Sequence, residues 1–303
     1  MARIDDVRAV KQRHADRLLS FAGVTGVDIG YRFREGTRRD EVCLRLWVER
    51  KGGYIPAGQH LPSDLDGVAT DVVERAVRPN ADERRYRPLI GGVSMGPCRQ
   101  PHGSPLAGTL GAIVRSRSNG VWFGLTNWHV AAVDGDWSPR DDMVQPSQLD
   151  GGSCPDDVFG SLEAAVLNER VDAALVSCEA REAVPYVRGM GLTAGSTAAE
   201  LGMEVSKVGR TTGVRSGIID GIEANVSIDY GGDVGRHRLV DQLSVAADSE
   251  AFGLGGDSGS VVLGPDRRIV GLYFAGTPDG LSGIANPIGA VEEEFDIVID
   301  DCG

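Results

Sequence analysis

The sequence predicts a mainly β protein, in which a barrel or sandwich of short strands follows a small α/β domain. Glycine is frequent, with 42 among 303 residues, and this frequency favours tight turns and short strands over long helices. Beyond residue 88, short apolar runs alternate with clusters of Gly, Asn, Asp and Pro almost to the end of the chain. Such even spacing is typical of all-β domains, and only residues 288–295 near the end have a helical pattern.

The first part of the chain has a different pattern. Apolar residues recur at steps of three and four between residues 4 and 20, which predicts an amphipathic helix. Strands are predicted at 26–33, 42–48 and near 68–73. The charged segment 78–88, which contains two prolines, then separates this unit from the rest. We therefore expect a small α/β N-terminal domain over residues 1–86.

The composition argues against several classes of protein. The net charge is −13, and we interpret the arginine-rich pieces at 34–39 and 84–87 as a solvated turn and a linker, so we expect no nucleic-acid partner. No apolar stretch is long enough to cross a membrane. The N-terminus is charged and lacks the apolar segment of a signal peptide. These observations predict a cytoplasmic protein with no membrane partner.

The cysteines and acidic residues do not form a metal-binding pattern. The five cysteines, at 43, 98, 154, 178 and 302, include no CxxC pair, so we expect no metal ion and no cofactor. Cys43 and Cys178 lie in apolar runs and are interpreted as inert core thiols, whereas pairing of Cys98 with Cys154 is left open. The acidic loop 134–142 lacks the EF-hand pattern and is interpreted as a solvated loop.

The strongest local signal for chemistry is the glycine-rich sequence GGDSGS at residues 255–260. A serine hydroxyl is a poor nucleophile unless a base removes its proton, and backbone N–H groups must meet the oxyanion that develops. Glycines around Ser258 permit a tight turn, which predicts an oxyanion hole formed by the N–H groups of Gly256 and Ser258. The alternative is a flexible loop without a catalytic role.

Two further motifs supply partners for Ser258. His129 follows the apolar run 121–125 and stands just past a predicted strand, although a lone histidine is also commonly a satisfied core residue. Asp172 opens the apolar run VDAALV, where a carboxylate is costly unless a group such as a histidine N–H pairs with it. The alternative for Asp172 is a surface position at the start of a strand. The order His129, Asp172, Ser258 is that of chymotrypsin-type triads.

In combination, TNWHV, VDAALV and GDSGS resemble the three triad segments of trypsin-like serine peptidases. The segments KVGRTTG (207–213), GGVSMG (91–96) and AGTLGAIV (107–114) are similar to bacterial members and to a bacterial and plant subgroup with an extra N-terminal region. The resemblance implies a chymotrypsin-like double β-barrel of two six-stranded barrels, with His129 and Asp172 in the first and Ser258 in the second. We expect the first barrel at 87–190 and the second at 191–303.

The resemblance also implies a function and a substrate site. The chain is expected to be a serine endopeptidase that acts on protein or peptide substrates through an acyl-enzyme; the alternative is a non-catalytic peptide-binding or partner-binding module on the same fold. Phe274, Ala275 and Gly276 would lie on the strand that pairs with the substrate backbone. Phe252, six residues before Ser258, would lie near the base of the specificity pocket, or else in the core.

A further hypothesis concerns activation. Leu89–Gly92 follows an arginine-rich linker and is similar to the new N-terminus of an activated trypsin zymogen. Asp257 would then receive the freed ammonium group. Pro88 after Arg87 would hinder cleavage there, which argues against the hypothesis.

Overall fold

A computed structural model describes residues 3–21, 23–34, 36–48, 51, 60–75, 82, 84–100 and 103–302. The chain divides into two compact units, Met1–Pro79 and Asn80–Gly303. Residues 78–81 and 83 of the predicted linker lie outside the described residues. The subdivision of the chain at 86/87 and 190/191 stays a prediction.

The first unit is a helix on a four-stranded sheet. Its elements are α1 (Ile4–Leu19), β1 (Val24–Arg34), β2 (Thr37–Val48), β3 (Asp64–Leu65) and β4 (Val68–Glu74). The strand order is β1-β2-β4-β3, with β1 antiparallel and β4 parallel to β2. The apolar face of α1 packs on alternate residues of β2, which are buried because side chains alternate across a strand. The core residues shared by helix and sheet are Val7, Val10, Leu18, Leu44, Leu46 and Val68.

The second unit begins with a curled sheet of eight strands. Its first elements are β5 (Leu89–Gly91), β6 (Val93–Pro97), β7 (Gly108–Leu110), β8 (Ala112–Ser116), β9 (Trp122–Thr126), α2 (Trp128–Ala131), β10 (Asp142–Val144), β11 (Val158–Leu167), β12 (Asp172–Ser177), β13 (Ala183–Val187) and β14 (Gly191–Leu192). The eight strands follow the order β21-β8-β9-β12-β11-β10-β6-β7, in which β21 (Ile297–Val298) is the C-terminal strand. The sheet has eight strands where six are expected, and β21, which pairs with the edge of β8, is one of the additional strands.

A closed barrel of six strands completes the second unit. Its elements are β15 (Glu204–Gly209), β16 (Gly213–Asp229), β17 (Arg236–Ala247), β18 (Val261–Leu263), β19 (Ile269–Gly276) and β20 (Ser282–Pro287), followed by α3 (Ile288–Phe295). The predicted fold class, a mainly β double barrel after a small α/β unit, is confirmed. The predicted C-terminal helix is also confirmed, since α3 spans the residues with the helical pattern.

The structure resolves the cysteine pairing that the sequence leaves open. Cys98 and Cys154 form a disulfide, with their Cα atoms 6.0 Å apart, whereas Cys43, Cys178 and Cys302 are free thiols. Among the described helices, none combines the length and the apolar character that crossing a bilayer requires. Within the same described residues, histidine, cysteine and carboxylate side chains do not gather in groups of three or more that could hold a metal ion.

Candidate active site

The end of β9 and the short helix α2 position His129. Strand β9 ends at Thr126, Asn127 precedes the first turn of α2, and His129 lies in that turn with 24% of its side chain exposed. Its ring nitrogen Nδ1 lies 2.6 Å from Oδ2 of Asp172, and its backbone N–H donates to Oδ1 at 3.3 Å. The carboxylate therefore holds both the ring and the backbone of His129, and leaves Nε2 as the ring nitrogen without this contact.

Asp172 is the first residue of β12, and its side chain is fully buried. The Asp172 backbone is fixed on both sides, because its N–H donates to Asn286 Oδ1 at 3.1 Å and its carbonyl accepts from Asn127 Nδ2 at 2.6 Å. The Tyr230 hydroxyl donates to Asp172 Oδ2 at 2.8 Å. A buried carboxylate is costly unless it is hydrogen-bonded, and these donors meet that requirement.

The loop that carries Ser258 depends on two glycines in the left-handed region. Gly256 has φ +95° and Gly259 has φ +94°, a backbone conformation that residues with a side chain rarely adopt. There is also no room for a side chain, since a Cβ on Gly256 would lie 2.5 Å from Thr211 Oγ1, and one on Gly259 would collide with the carbonyl oxygen of Thr109. These glycines form the tight turn that the sequence predicts around Ser258.

A buried ion pair anchors this loop from behind. Lys207 Nζ lies 2.9 Å from Asp257 Oδ2, and both side chains are fully buried. Asp257 also accepts from the backbone N–H groups of Thr211 (2.8 Å), Thr212 (3.0 Å) and Leu254 (2.9 Å). Burial acts to raise the pKa of Asp257, but the Lys207 ammonium and these donors outweigh it and hold the pKa below its usual value. Burial lowers the pKa of Lys207 to about 8.

The ion pair removes the basis of the zymogen hypothesis. Asp257, which would receive a freed N-terminal ammonium, already binds Lys207. Leu89 is fully buried in β5, and its N–H donates to the carbonyl of Glu182 at 2.7 Å. Because Asp257 takes its cation from within the barrel and not from a cleaved chain end, the structure argues against the hypothesis.

The hydroxyl of Ser258 is directed towards β19. Its Oγ donates to the carbonyl of Phe274 at 3.3 Å, and among the described residues no hydrogen bond joins it to His129. The Ser258 carbonyl accepts from the N–H of Thr109 at 2.8 Å, on the strand β7. A Cβ on Gly108, also in β7, would touch both this carbonyl oxygen and the side chain of Val130, the neighbour of His129. The backbone of Ser258 and the helix that carries His129 thus both lie against Gly108 of β7.

Comparison with solved structures identifies the architecture. Thermobifida fusca Protease A is 23% identical to this chain, with a TM-score of 0.51 over 69% of this chain and 96% of that protein. A glutamic-acid-specific serine protease is 20% identical, with a TM-score of 0.52 over 70% of this chain and all of that protein. An alpha-lytic protease homologue, N4, is 16% identical, with a TM-score of 0.52 over 70% of this chain and 99% of that protein. The chain has the chymotrypsin-like fold of serine proteases.

Sequence comparison gives one curated relative. Protein NARROW LEAF 1 of rice (Oryza sativa subsp. japonica) is 27% identical over 322 residues, covering 90% of this chain and 54% of the rice protein. The chain thus spans about half the length of the curated relative that it matches. No family model matches the chain.

In this chymotrypsin-like fold, Phe252 lies in the core of the second barrel. Its side chain is fully buried, and its ring lies 6.0 Å from that of Tyr273 in the core of the second barrel. Phe252 precedes the loop and enters the barrel, where glycines at 217 and 283 leave space for its ring. This burial agrees with the core alternative, and a place near the base of a specificity pocket stays a prediction.

The predicted substrate strand has one free edge. Ala275 and Gly276 pair with Ile284 and Gly283 of β20 on one side of β19. Strand β18 pairs with β19 only at residues 269–272, so beyond them no described strand pairs with the other edge. Phe274 is buried, and Gly276 is exposed. Such an edge can accept an extended peptide as an added strand.

The sequence reasoning missed Tyr273, which fills the space beside the Ser258 loop. A Cβ placed on Gly253 or Gly276 would lie 2.5 or 2.6 Å from its hydroxyl oxygen. The backbone carbonyl of Tyr273 accepts from the N–H of Gly259 at 3.0 Å, so the residue is tied to the loop. Gly253 and Gly276 were the available signal in the sequence, because only residues without a side chain leave room for the phenol of Tyr273.

Lys207 and Tyr230 were also missed. Lys207 lies in an apolar strand, where a buried ammonium needs a partner, so its position offered a signal. Tyr230 offered none, because it lies in a glycine-rich hairpin turn and its partner Asp172 is 58 residues away.

Proposed function

We propose that this chain is a serine endopeptidase that hydrolyses protein or peptide substrates through His129, Asp172 and Ser258. The observation that carries the proposal is the contact between His129 Nδ1 and the fully buried carboxylate of Asp172. Such a contact fixes the ring in the tautomer whose Nε2 can accept a proton. The chymotrypsin-like fold of the proteases described above supports the same assignment.

In the proposed mechanism, His129 Nε2 removes the proton of Ser258 as Oγ attacks the peptide carbonyl. Asp172 stabilises the imidazolium ion that forms, and the N–H groups of Gly256 and Ser258 bind the oxyanion. His129 then gives the proton to the leaving amine. Water, deprotonated by His129, attacks the acyl-enzyme ester; the bond to Ser258 Oγ breaks, Oγ takes that proton back from His129, and the carboxylic acid is released. The mechanism calls for no cofactor.

In the proposed mechanism, the Ser258 hydroxyl must leave its contact with Phe274. In the structure its hydroxyl donates to the carbonyl of Phe274 at 3.3 Å, a long and weak hydrogen bond. Rotation about χ1 releases this bond and turns Oγ towards His129. Catalytic hydrogen bonds often tighten only when substrate is bound. The same observation favours the second candidate, a peptide-binding module in which Ser258 stays turned away.

The proposed substrate enters as an extended chain along the free edge of β19, at residues 274–276. The phenol of Tyr273 limits the side chain that precedes the cleaved bond, because it occupies the space between Gly253 and Gly276. We therefore expect cleavage after small residues such as Ala, Ser or Thr, measured with a peptide library and mass spectrometry. Cleavage mainly after Lys, Arg or Phe would contradict this specificity.

Labelling with a fluorescent fluorophosphonate tests the proposed function. The wild type should react at Ser258, whereas Ser258→Ala and His129→Ala should not. Matched controls are Ser249→Ala and His60→Ala, which change exposed residues and should label as the wild type does. A folded wild type that does not label would favour the binding module over the peptidase.

A further inference from the structure

A long hairpin of the second barrel reaches the buried side of the candidate triad. Strands β16 and β17 pair as far as Asp229 and Arg236, and the turn between them is closed by hydrogen bonds from Tyr230 N–H to Gly235 O and from Gly235 N–H to Gly231 O. Along β17, the N–H of Val240 donates to the carbonyl of Glu169 at 2.7 Å. Glu169 precedes Asp172 by three residues, so the hairpin is tied to the chain that enters β12.

Tyr230 at the tip of this hairpin binds the carboxylate that holds His129. Its hydroxyl donates to Asp172 Oδ2 at 2.8 Å, and the same oxygen lies 2.6 Å from His129 Nδ1. The rings of Tyr230 and His129 also contact each other, with their centroids 5.7 Å apart. One oxygen atom thus accepts from both the imidazole and the phenol.

This arrangement affects the charge that His129 experiences. A phenol donates to a carboxylate without neutralising it, so part of the negative charge of Oδ2 is shared with the Tyr230 hydroxyl. Burial, with Asp172 beside it, raises the pKa of Tyr230, and the hydroxyl therefore keeps its proton and remains a donor. The shared oxygen consequently holds the Nδ1 proton less strongly than an oxygen without a second donor.

We propose that Tyr230 is a positioning residue of this active site, whose hydroxyl fixes the Asp172 carboxylate and weakens its hold on His129. The inference rests on the proposed function for its catalytic meaning. It assigns the tip of the β16–β17 hairpin to the catalytic machinery, although neither the triad motifs nor the oxyanion loop includes it.

The other titratable and charged groups at the hairpin tip must be separated from Tyr230. The His237 ring packs edge-on against Tyr230, with centroids 5.8 Å apart, and its Nε2 lies 3.1 Å from the carbonyl of Val234. Asp229 and Arg236 form an exposed ion pair at 3.2 Å. His237 is the group in contact with the phenol, so it needs its own variant.

The first experiment measures the rate of fluorophosphonate labelling against pH in Tyr230→Phe. We expect the rate to fall about tenfold, because one hydrogen bond to a charged group is lost. We also expect the midpoint of the acid limb to move to higher pH, because a carboxylate that shares less charge keeps the proton on His129 longer. The control Tyr186→Phe, at a tyrosine that is 37% exposed, should leave both unchanged.

Each of three results of the labelling experiment would overturn the inference. One is a wild-type rate and pH profile in Tyr230→Phe. Another is a shift of the acid limb that disappears when His237→Phe is added, because the shift would then come from His237. A lower rate with an unchanged pH profile would mean that the hydroxyl only supports the structure, and would also contradict a role in positioning.

A second measurement needs no activity and so separates this inference from the proposed function. In Ser258→Ala protein, the Nδ1 proton of His129 is observed by NMR with and without Tyr230→Phe. We expect its resonance to move downfield when the phenol hydroxyl is removed, since the hydrogen bond to Asp172 strengthens. An unchanged resonance overturns the role of Tyr230, whereas a wild type that does not label overturns the peptidase alone.

Fluorotyrosine keeps the test decisive if Tyr230→Phe does not fold. Incorporated at position 230 in place of Tyr230, it retains the ring and makes the hydroxyl a stronger donor. The Nδ1 resonance of His129 should then move upfield, because more of the Asp172 charge is shared. No movement would count against the inference.

Discussion

Asp172 and Asp257 are fully buried carboxylates of the second unit, and their partners differ in exposure. Asp172 binds His129, whose side chain is 24% exposed, so one end of this contact opens to the surface. Asp257 binds Lys207, whose side chain is fully buried, so this contact is closed on all sides. The partner of Asp172 can therefore meet a substrate, as the proposed mechanism requires, whereas the partner of Asp257 cannot.

The hydrogen bonds of the two carboxylates fit this division. The donors to Asp257 include three backbone N–H groups of the segments 211–212 and 254, so the carboxylate joins the Ser258 loop to the strand that carries Lys207. The donors to Asp172 are the backbone and ring of His129 and the hydroxyl of Tyr230. The first set fixes a backbone, and the second orients one imidazole.

The largest effect should follow from Asp172→Asn. An amide cannot hold the proton on Nδ1 as a carboxylate does, and in chymotrypsin-type enzymes this change lowers turnover by about 10⁴-fold. We expect a fall of that order in the rate of fluorophosphonate labelling, with little change in the thermal midpoint. The control Asp220→Asn, at an exposed aspartate, should label as the wild type does. Full labelling of Asp172→Asn would remove Asp172 from the mechanism.

Lys207→Met should lower the free energy of unfolding. The change leaves the Asp257 carboxylate buried without its cation, which costs about 3–5 kcal/mol in comparable buried pairs. Urea unfolding followed by fluorescence measures this loss. Adding Asp257→Asn should recover part of it, since no unpaired charge then remains. The exposed control Lys51→Met should stay within about 0.5 kcal/mol of the wild type. A stable Lys207→Met would show that the pair does not anchor the loop.

The parts of this site that the sequence predicts are those whose signals are local. GGDSGS contains both the nucleophile and the glycines that its turn requires, and the two left-handed glycines lie where the motif places them. Asp172 could be singled out because it opens an apolar strand. The alternation of short apolar runs with turn residues predicted the barrels for the same reason, since strand and turn preferences act over a few residues.

The remaining features depend on contacts between distant segments. Tyr230 lies in a turn with no pattern of its own, and only the length of the hairpin brings it to Asp172. Phe252 was placed by its distance from Ser258 along the chain, but the direction of its side chain depends on glycines of other strands. Spacing along the sequence therefore located the loop and did not determine which side chains face the cleft.

The difference in stability between the wild type and Asp257→Asn should become smaller in acid. The pKa of Asp257 lies below its ordinary value of 3.8 in the folded chain, because Lys207 and the N–H donors outweigh the effect of burial. Its ionisation therefore stabilises the fold above about pH 3.8, and this contribution is lost as the pH falls through the folded-state value. Urea midpoints measured from about pH 6 to about pH 3 should show the gap between the two proteins narrowing. A constant gap would show that the charge of Asp257 contributes nothing.

The smallest expected effect concerns the reactivity of the free cysteines. Unlike the buried carboxylates, their thiols have no cationic partner among the described residues. Burial raises the pKa of Cys43 to about 11 and that of Cys178 to about 12, from an ordinary value of 9.0. At about pH 8, Cys178 therefore has roughly a thousandfold less thiolate than an ordinary cysteine. Iodoacetamide should modify Cys302 first in the native protein, and Cys43 and Cys178 only after urea is added, as mass spectrometry of tryptic peptides would show. Native modification of Cys178 at the rate seen in urea would mean that a buried ionisable group here needs no partner to become charged, contrary to what Asp172 and Asp257 indicate.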